Sequence, residues 1–145
     1  MTPPLATIGY ECRTQAALIE ALQAAGVEIL VDVRAIAASR RAGFSKTLLA
    51  ASLAEAGVDY LHLRELGTPK PGREAARKGR VAEMTEIFNA HLAEPSAQLQ
   101  LAQAKAVVAG RRAALLCFEA DAAGCHRKIL ADHICADLGC AVSHL

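Results

Sequence analysis

The chain has no tryptophan, and its five tyrosines and phenylalanines bring the aromatic share to only 3%. A core without large rings must be built from aliphatic side chains and alanine, which fits a hydrophobic content of 53%. No apolar run approaches the ~20 residues of a membrane span. The opening MTPPLATIGYECR lacks the charged region and long apolar stretch of a secretory leader. Neither sign of charge is in surplus: 16 Lys and Arg against 15 Asp and Glu leave +1. That balance excludes strong overall attraction to nucleic acid, though not a local basic patch. There is no Gly-rich phosphate loop of the Walker or dinucleotide type and no zinc-deaminase signature. The expectation is a cytoplasmic protein.

At 145 residues the chain is long enough for one domain, 1–145, with a real core. Leu5–Gly9, Val27–Val33, Val58–Leu63 and Ala113–Phe118 are short apolar runs expected to be strands, with Ala141–His144 as a fifth, edge strand. Between them lie helical patterns: one capped by Thr14 and closed by Gly26, one from Lys46 to Ala56, one over Val81–His91, one from Pro95 to Val108, and one from about Cys125 to Leu138. Arg64 to Arg80 holds Pro69, Pro71 and three glycines, and is expected to be one long basic loop. Strands alternating with helices, and no hairpin dipeptide, imply βαβ crossovers. The fold class is therefore α/β, a mostly parallel sheet of about five strands flanked by helices on both faces.

Five cysteines (Cys12, Cys117, Cys125, Cys135, Cys140) are an odd number, and in a cytoplasmic chain no disulfide framework is expected. Cys135 and Cys140 are expected as small buried hydrophobes. Cys117 and Cys125 flank a short loop between a strand and a helix, the kind of place where open α/β sheets bind ligands. Other strands end in polar residues as well: Tyr10-Glu11-Cys12-Arg13, Asp32-Val33-Arg34, and His62 with Arg64 and Glu65. Asp32 interrupts an apolar strand, so it requires a partner, which Arg34 or Arg127 can supply.

These residues carry a resemblance. Thr7-Ile8-Gly9-Tyr10, Val31-Asp32-Val33-Arg34, Ser39-Arg40-Arg41 with Phe44-Ser45-Lys46, Tyr60-Leu61-His62-Leu63 with Glu65-Leu66-Gly67, and Cys117-x-Glu119 through Cys125-His126-Arg127 resemble domain-of-unknown-function family 488. The likeness spans almost the whole chain in order. It departs at Tyr10, where the family commonly has His, and in the loop 69–80. What it implies is an α/β domain with a shared polar site at those positions, and no particular reaction.

The expected function is binding of a small anionic, phosphorylated ligand at that edge, by an enzyme or a former one. Tyr10, Arg34, Arg40, Cys125, His126 and Arg127 are the expected ligand contacts, and Cys117, Glu119 and Asp32 the expected catalytic groups. The spacing from Cys117 or Cys125 to Arg127 does not fit a Cys-x5-Arg phosphatase loop. The alternative is a nucleic-acid-binding or regulatory module using the basic stretch 70–80, weakened by the lack of stacking aromatics there. A zinc site on Cys117, Cys125 and His126, with His62 or Glu119, is disfavoured because Cys-x7-Cys-His lacks knuckle spacing. No cofactor, metal or membrane contact is expected, and the sequence is silent on oligomeric state.

Overall fold

The computed structural model describes residues 2–145. Strands β1 (Leu5–Gly9), β2 (Ile29–Asp32), β3 (Asp59–His62), β4 (Ala113–Cys117) and β5 (Val142–His144) form one sheet in the order β3-β2-β4-β1-β5, and every pairing is parallel. The helices are α1 (Gln15–Ala24), α2 (Lys46–Glu55), α3 (Lys70–Arg77), α4 (Val81–Leu92), α5 (Pro95–Gly110) and α6 (His126–Leu138). The expected α/β sheet of about five strands is what forms.

The chain order explains the layers. From β1 through β2 to β3 the chain moves one way across the sheet; from β3 through β4 to β5 it moves back. Right-handed crossovers in opposite directions place their helices on opposite faces. Accordingly, Leu18 and Leu22 of α1 and Leu49 and Leu53 of α2 pack with Ile8, Leu30 and Leu116. On the other face, Phe88 of α4, Leu101 of α5 and Ile134 of α6 pack with Leu5, Val31 and Leu115. Alternate residues of the strands feed the two cores, so β4 is apolar throughout and β1 and β2 carry one buried polar residue each, Thr7 and Asp32. Thr14 caps α1 as expected, accepting a hydrogen bond from the Ala17 N–H at 3.1 Å. No helix among the described residues is long and apolar enough to cross a membrane.

Two expectations are corrected. The stretch 64–80 is not a loop: a 3-10 turn at Arg64–Leu66 leads into α3. Pro71 lies in the first turn of α3, where a missing N–H removes no helical bond. Gly72 brings the helix against its neighbours, since a Cβ there would lie 2.4 Å from Thr68 Cγ2. The residues that suggest a loop here start and seat a helix.

The second correction concerns cysteine. Cys135 is bonded to Cys140, and Cys117 to Cys125, leaving Cys12 free. Gly139 takes a left-handed conformation after α6 (φ +71°), and the Cys140 N–H donates back to the Cys135 carbonyl at 3.2 Å. That helix ending folds Cys140 over Cys135, with 4.6 Å between Cα atoms. An argument from compartment does not register such local proximity.

β1 and β4 lie side by side with Gly9 opposite Cys117. A Cβ at Gly9 would sit 1.7 Å from the Glu119 carbonyl oxygen and 2.9 Å from Arg127 Nη1. Gly9→Ala therefore forces the loop after β4 away from the sheet, with an expected loss of about 1–3 kcal/mol or more in urea unfolding. Gly110, at the end of α5, has nothing within 4 Å of such a Cβ. Gly110→Ala is expected to be neutral or to stabilise by up to about 1 kcal/mol. Equal effects of the two substitutions would contradict this packing.

Candidate functional site

Because the crossover direction reverses between β1 and β4, the loops leaving β1, β2 and β4 diverge at the carboxyl edge of the sheet and leave a crevice there. α3 and α4 wall its far side. The result is a cavity of about 450 Å³, whose lining includes Tyr10, Arg34, Cys117, Glu119, Cys125 and His126 together with Arg73 and Arg77 of α3.

Asp32 ends β2 and is fully buried beneath this floor. It receives Arg34 Nε at 2.9 Å and Nη2 at 2.7 Å, a two-pronged ion pair, and also the Tyr60 hydroxyl. Burial opposes the charge on Arg34, yet the Asp32 contact raises its pKa above the ordinary value. Burial, then Asp32, raises that of Tyr60 as well. Arg34 Nη1 donates to the Phe44 carbonyl at 2.8 Å and to the Tyr10 hydroxyl at 3.3 Å, tying down the loop before α2. Tyr10 stacks on Phe44 with ring centres 4.5 Å apart. Arg34 is thus neutralised, and only part of it faces the cavity.

Arg127, in the first turn of α6, is completely buried. Its Nε donates to Thr7 Oγ1 at 3.2 Å and its Nη2 to the Ala120 carbonyl at 3.2 Å; Nη1 donates to the Glu119 carbonyl and reaches Cys117 Sγ at 3.5 Å. It forms no ion pair among the described residues. Burial lowers its pKa, although a guanidinium stays charged. Arg127 holds the site together from below and is not part of the cavity wall.

Glu119 Oε2 lies 3.0 Å from Cys117 Sγ. Burial raises the Glu119 pKa against the pull of Arg127 and Arg77. His126 donates Nε2–H to the Val33 carbonyl at 2.8 Å, which leaves Nδ1 unprotonated and 3.6 Å from Cys125 Sγ. Burial pushes its pKa down to about 4, so the ring is neutral at physiological pH.

Of the residues expected from sequence, Tyr10, Arg34, Cys117, Glu119, Cys125 and His126 meet at the cavity. Asp32 and Arg127 lie behind it as supports. Arg40 is exposed and not in the lining; its neighbour Arg41 instead donates to the carbonyl of Glu11 at 2.6 Å and to that of Tyr10. Nor does His62 line the cavity; it contacts the Arg34 carbonyl at 2.8 Å. Arg73 and Arg77 are the site residues that sequence reasoning missed. Their i, i+4 spacing was the signal, but it has meaning only on a helix.

The chain belongs to the family described as Domain of unknown function DUF488, whose model matches residues 14–134. No curated protein and no solved structure gives a significant match to it.

Arg127→Met keeps the bulk of the stem and removes every donor, leaving carbonyls of Glu119 and Ala120 without their partner. Loss of about 3–5 kcal/mol in urea unfolding is expected, as for other buried charged groups stripped from their network; a loss under about 1 kcal/mol would contradict the role assigned to it. His126 gives a pH signature in metal-free protein. Its folded pKa of about 4 lies below the usual 6.5, so the unfolded chain binds the proton more readily. The neutral ring's contribution is complete above the unfolded value and is lost as pH falls from there to the folded one, by about 3 kcal/mol in all. His126→Gln keeps a donor for Val33 but cannot titrate. The stability gap between parent and variant should narrow by that amount from about pH 7 to pH 4.

Proposed function

We propose that this DUF488 domain binds a small anionic ligand, of the phosphorylated kind, in the cavity at the carboxyl edge of its sheet. The observation that carries the reading is the pair Arg73 and Arg77, one helical turn apart on α3 and both in the cavity wall. Neither forms an ion pair among the described residues; Arg73 Nη1 donates to the Thr68 carbonyl at 2.8 Å. Glu119, the one carboxylate in the lining, is outnumbered by Arg73 and Arg77, so the wall carries net positive charge. The first turn of α6 adds backbone N–H groups at the same edge. The volume of about 450 Å³ suits a small molecule. On this reading Glu119 and, once its bond to Cys125 is reduced, Cys117 are the groups for chemistry on the ligand, and Asp32 holds Arg34 in place.

The basic stretch 70–80 supports a nucleic-acid interface less well. With Arg73 and Arg77 in the cavity wall, Lys70, Lys78 and Arg80 remain outside, and Arg80 lies 3.8 Å from Glu83. Three charges, one of them shared, are few for phosphate-backbone binding.

Calorimetric titration at low ionic strength, in the presence of chelator, tests the reading with phosphate, sulfate, nucleoside monophosphates and a short oligonucleotide. Saturable binding of the small anions is expected, weakened roughly tenfold or more in Arg77→Ala, a loss on the order of that for a charge-assisted hydrogen bond. Absence of binding at millimolar ligand, equal binding by the variant, or a clear preference for the oligonucleotide would overturn it.

A further inference from the structure

We propose that Cys117, Cys125 and His126, in their dithiol form, hold a soft divalent metal ion such as zinc, with its fourth coordination position facing the cavity. The three side chains are buried, and their Sγ and ring-nitrogen atoms lie within 4.8 Å of one another. Zinc–sulfur and zinc–nitrogen bonds of about 2.3 and 2.0 Å require such atoms to stand roughly 3.5–3.8 Å apart around a tetrahedron. Small side-chain rotations cover the difference.

The orientation of His126 is the independent observation. A buried imidazole that donates Nε2–H to a backbone carbonyl is fixed in one tautomer with a bare Nδ1 lone pair, the arrangement found behind metal-bound histidines. Here the carbonyl is that of Val33, at 2.8 Å, and Nδ1 faces the sulfurs. A disulfide has no need of this lone pair, whereas a metal ion does.

Arg127 supplies the second support. Its fully buried guanidinium has Nη1 3.5 Å from Cys117 Sγ. A cation at that distance favours the Cys117 thiolate, the form that binds metal. The long Cys-x7-Cys-His spacing is no obstacle, because Cys117 ends β4 and Cys125 caps α6, so two regular elements set their positions. All three ligands line the cavity, which leaves one coordination position open to it.

Reduction by dithiothreitol adds two electrons and two protons to the Cys117–Cys125 bond, and the reductant becomes the disulfide. Metal uptake then releases the two thiol protons to solvent. The inference does not depend on anion binding, which is measured with chelator present.

Full-length, reduced, metal-free protein is titrated anaerobically with Co²⁺. Saturation at one equivalent is expected, with a sulfur-to-cobalt charge-transfer band and the intense visible bands of tetrahedral cobalt, both abolished by one equivalent of Zn²⁺. Cys12→Ser and Cys140→Ala should retain the spectrum; His126→Gln should shift the visible bands and weaken binding at least tenfold. The parent reoxidised at Cys117–Cys125 should take up no cobalt. Absence of the one-equivalent spectrum in the reduced parent overturns the proposal whatever the variants do. So does an unchanged spectrum in the reoxidised parent or in Cys117→Ser combined with Cys125→Ser.

Discussion

A guanidinium sealed under a sheet edge, with no carboxylate paired to it, is the contact on which the rest of this structure hangs. Arg127 reaches from the start of α6 to Thr7 in β1, to two carbonyls of the loop after β4 and to the sulfur of Cys117. One side chain thereby joins the two strands at which the chain reverses direction to the helix that covers them. The contact is possible because Gly9 has no side chain: the Glu119 carbonyl and Arg127 Nη1 occupy the space a Cβ would take. Carbonyl dipoles solvate the cation in place of water, an arrangement that tolerates no loss of an acceptor.

Charge at this edge is divided into two storeys. Below, Asp32 and Arg34 neutralise each other, the Tyr60 hydroxyl donates to Asp32, and Arg34 spends its remaining donors on Phe44 and Tyr10. That closed network sets the loop between β2 and α2 and presents little to a ligand. Above it, α3 brings Arg73 and Arg77 to the cavity opposite Glu119. The lower storey makes the floor rigid, and the upper one gives it a sign.

Cys117, Cys125 and His126 stand where the two storeys meet. Their placement follows from the strand–loop–helix unit itself: β4 ends in one thiol, α6 begins beside the other, and the Val33 carbonyl at the end of β2 turns the imidazole toward both. Oxidation joins the sulfurs, and reduction frees two thiols and a neutral nitrogen. The chemistry open to the cavity wall therefore changes with redox state.

Sequence alone determined the sheet, because apolar β-branched runs separated by capped amphipathic segments admit little else. The strands around Ile8, Leu30, Leu61 and Leu116 are parallel neighbours, as that alternation requires. It also indicated that Tyr10, Arg34, Cys117, Glu119, Cys125 and His126 gather at one cavity, since polar residues at successive strand ends of a parallel sheet converge on one edge. Tertiary structure decided which of them reach the cavity. Arg34 and Arg127 look equally available in the sequence, but burial and hydrogen-bond acceptors from distant segments occupy both, and Arg40 points elsewhere. It decided α3 as well: Pro69, Pro71 and Gly72 have loop propensities, and packing of Ala75 and Gly72 against α4 and Thr68 seats there a helix that brings Arg73 and Arg77 to the cavity rim. Periodicity is a local property and can be read from the chain; which donor already has its acceptor is a property of segments far apart in sequence, settled only when they meet.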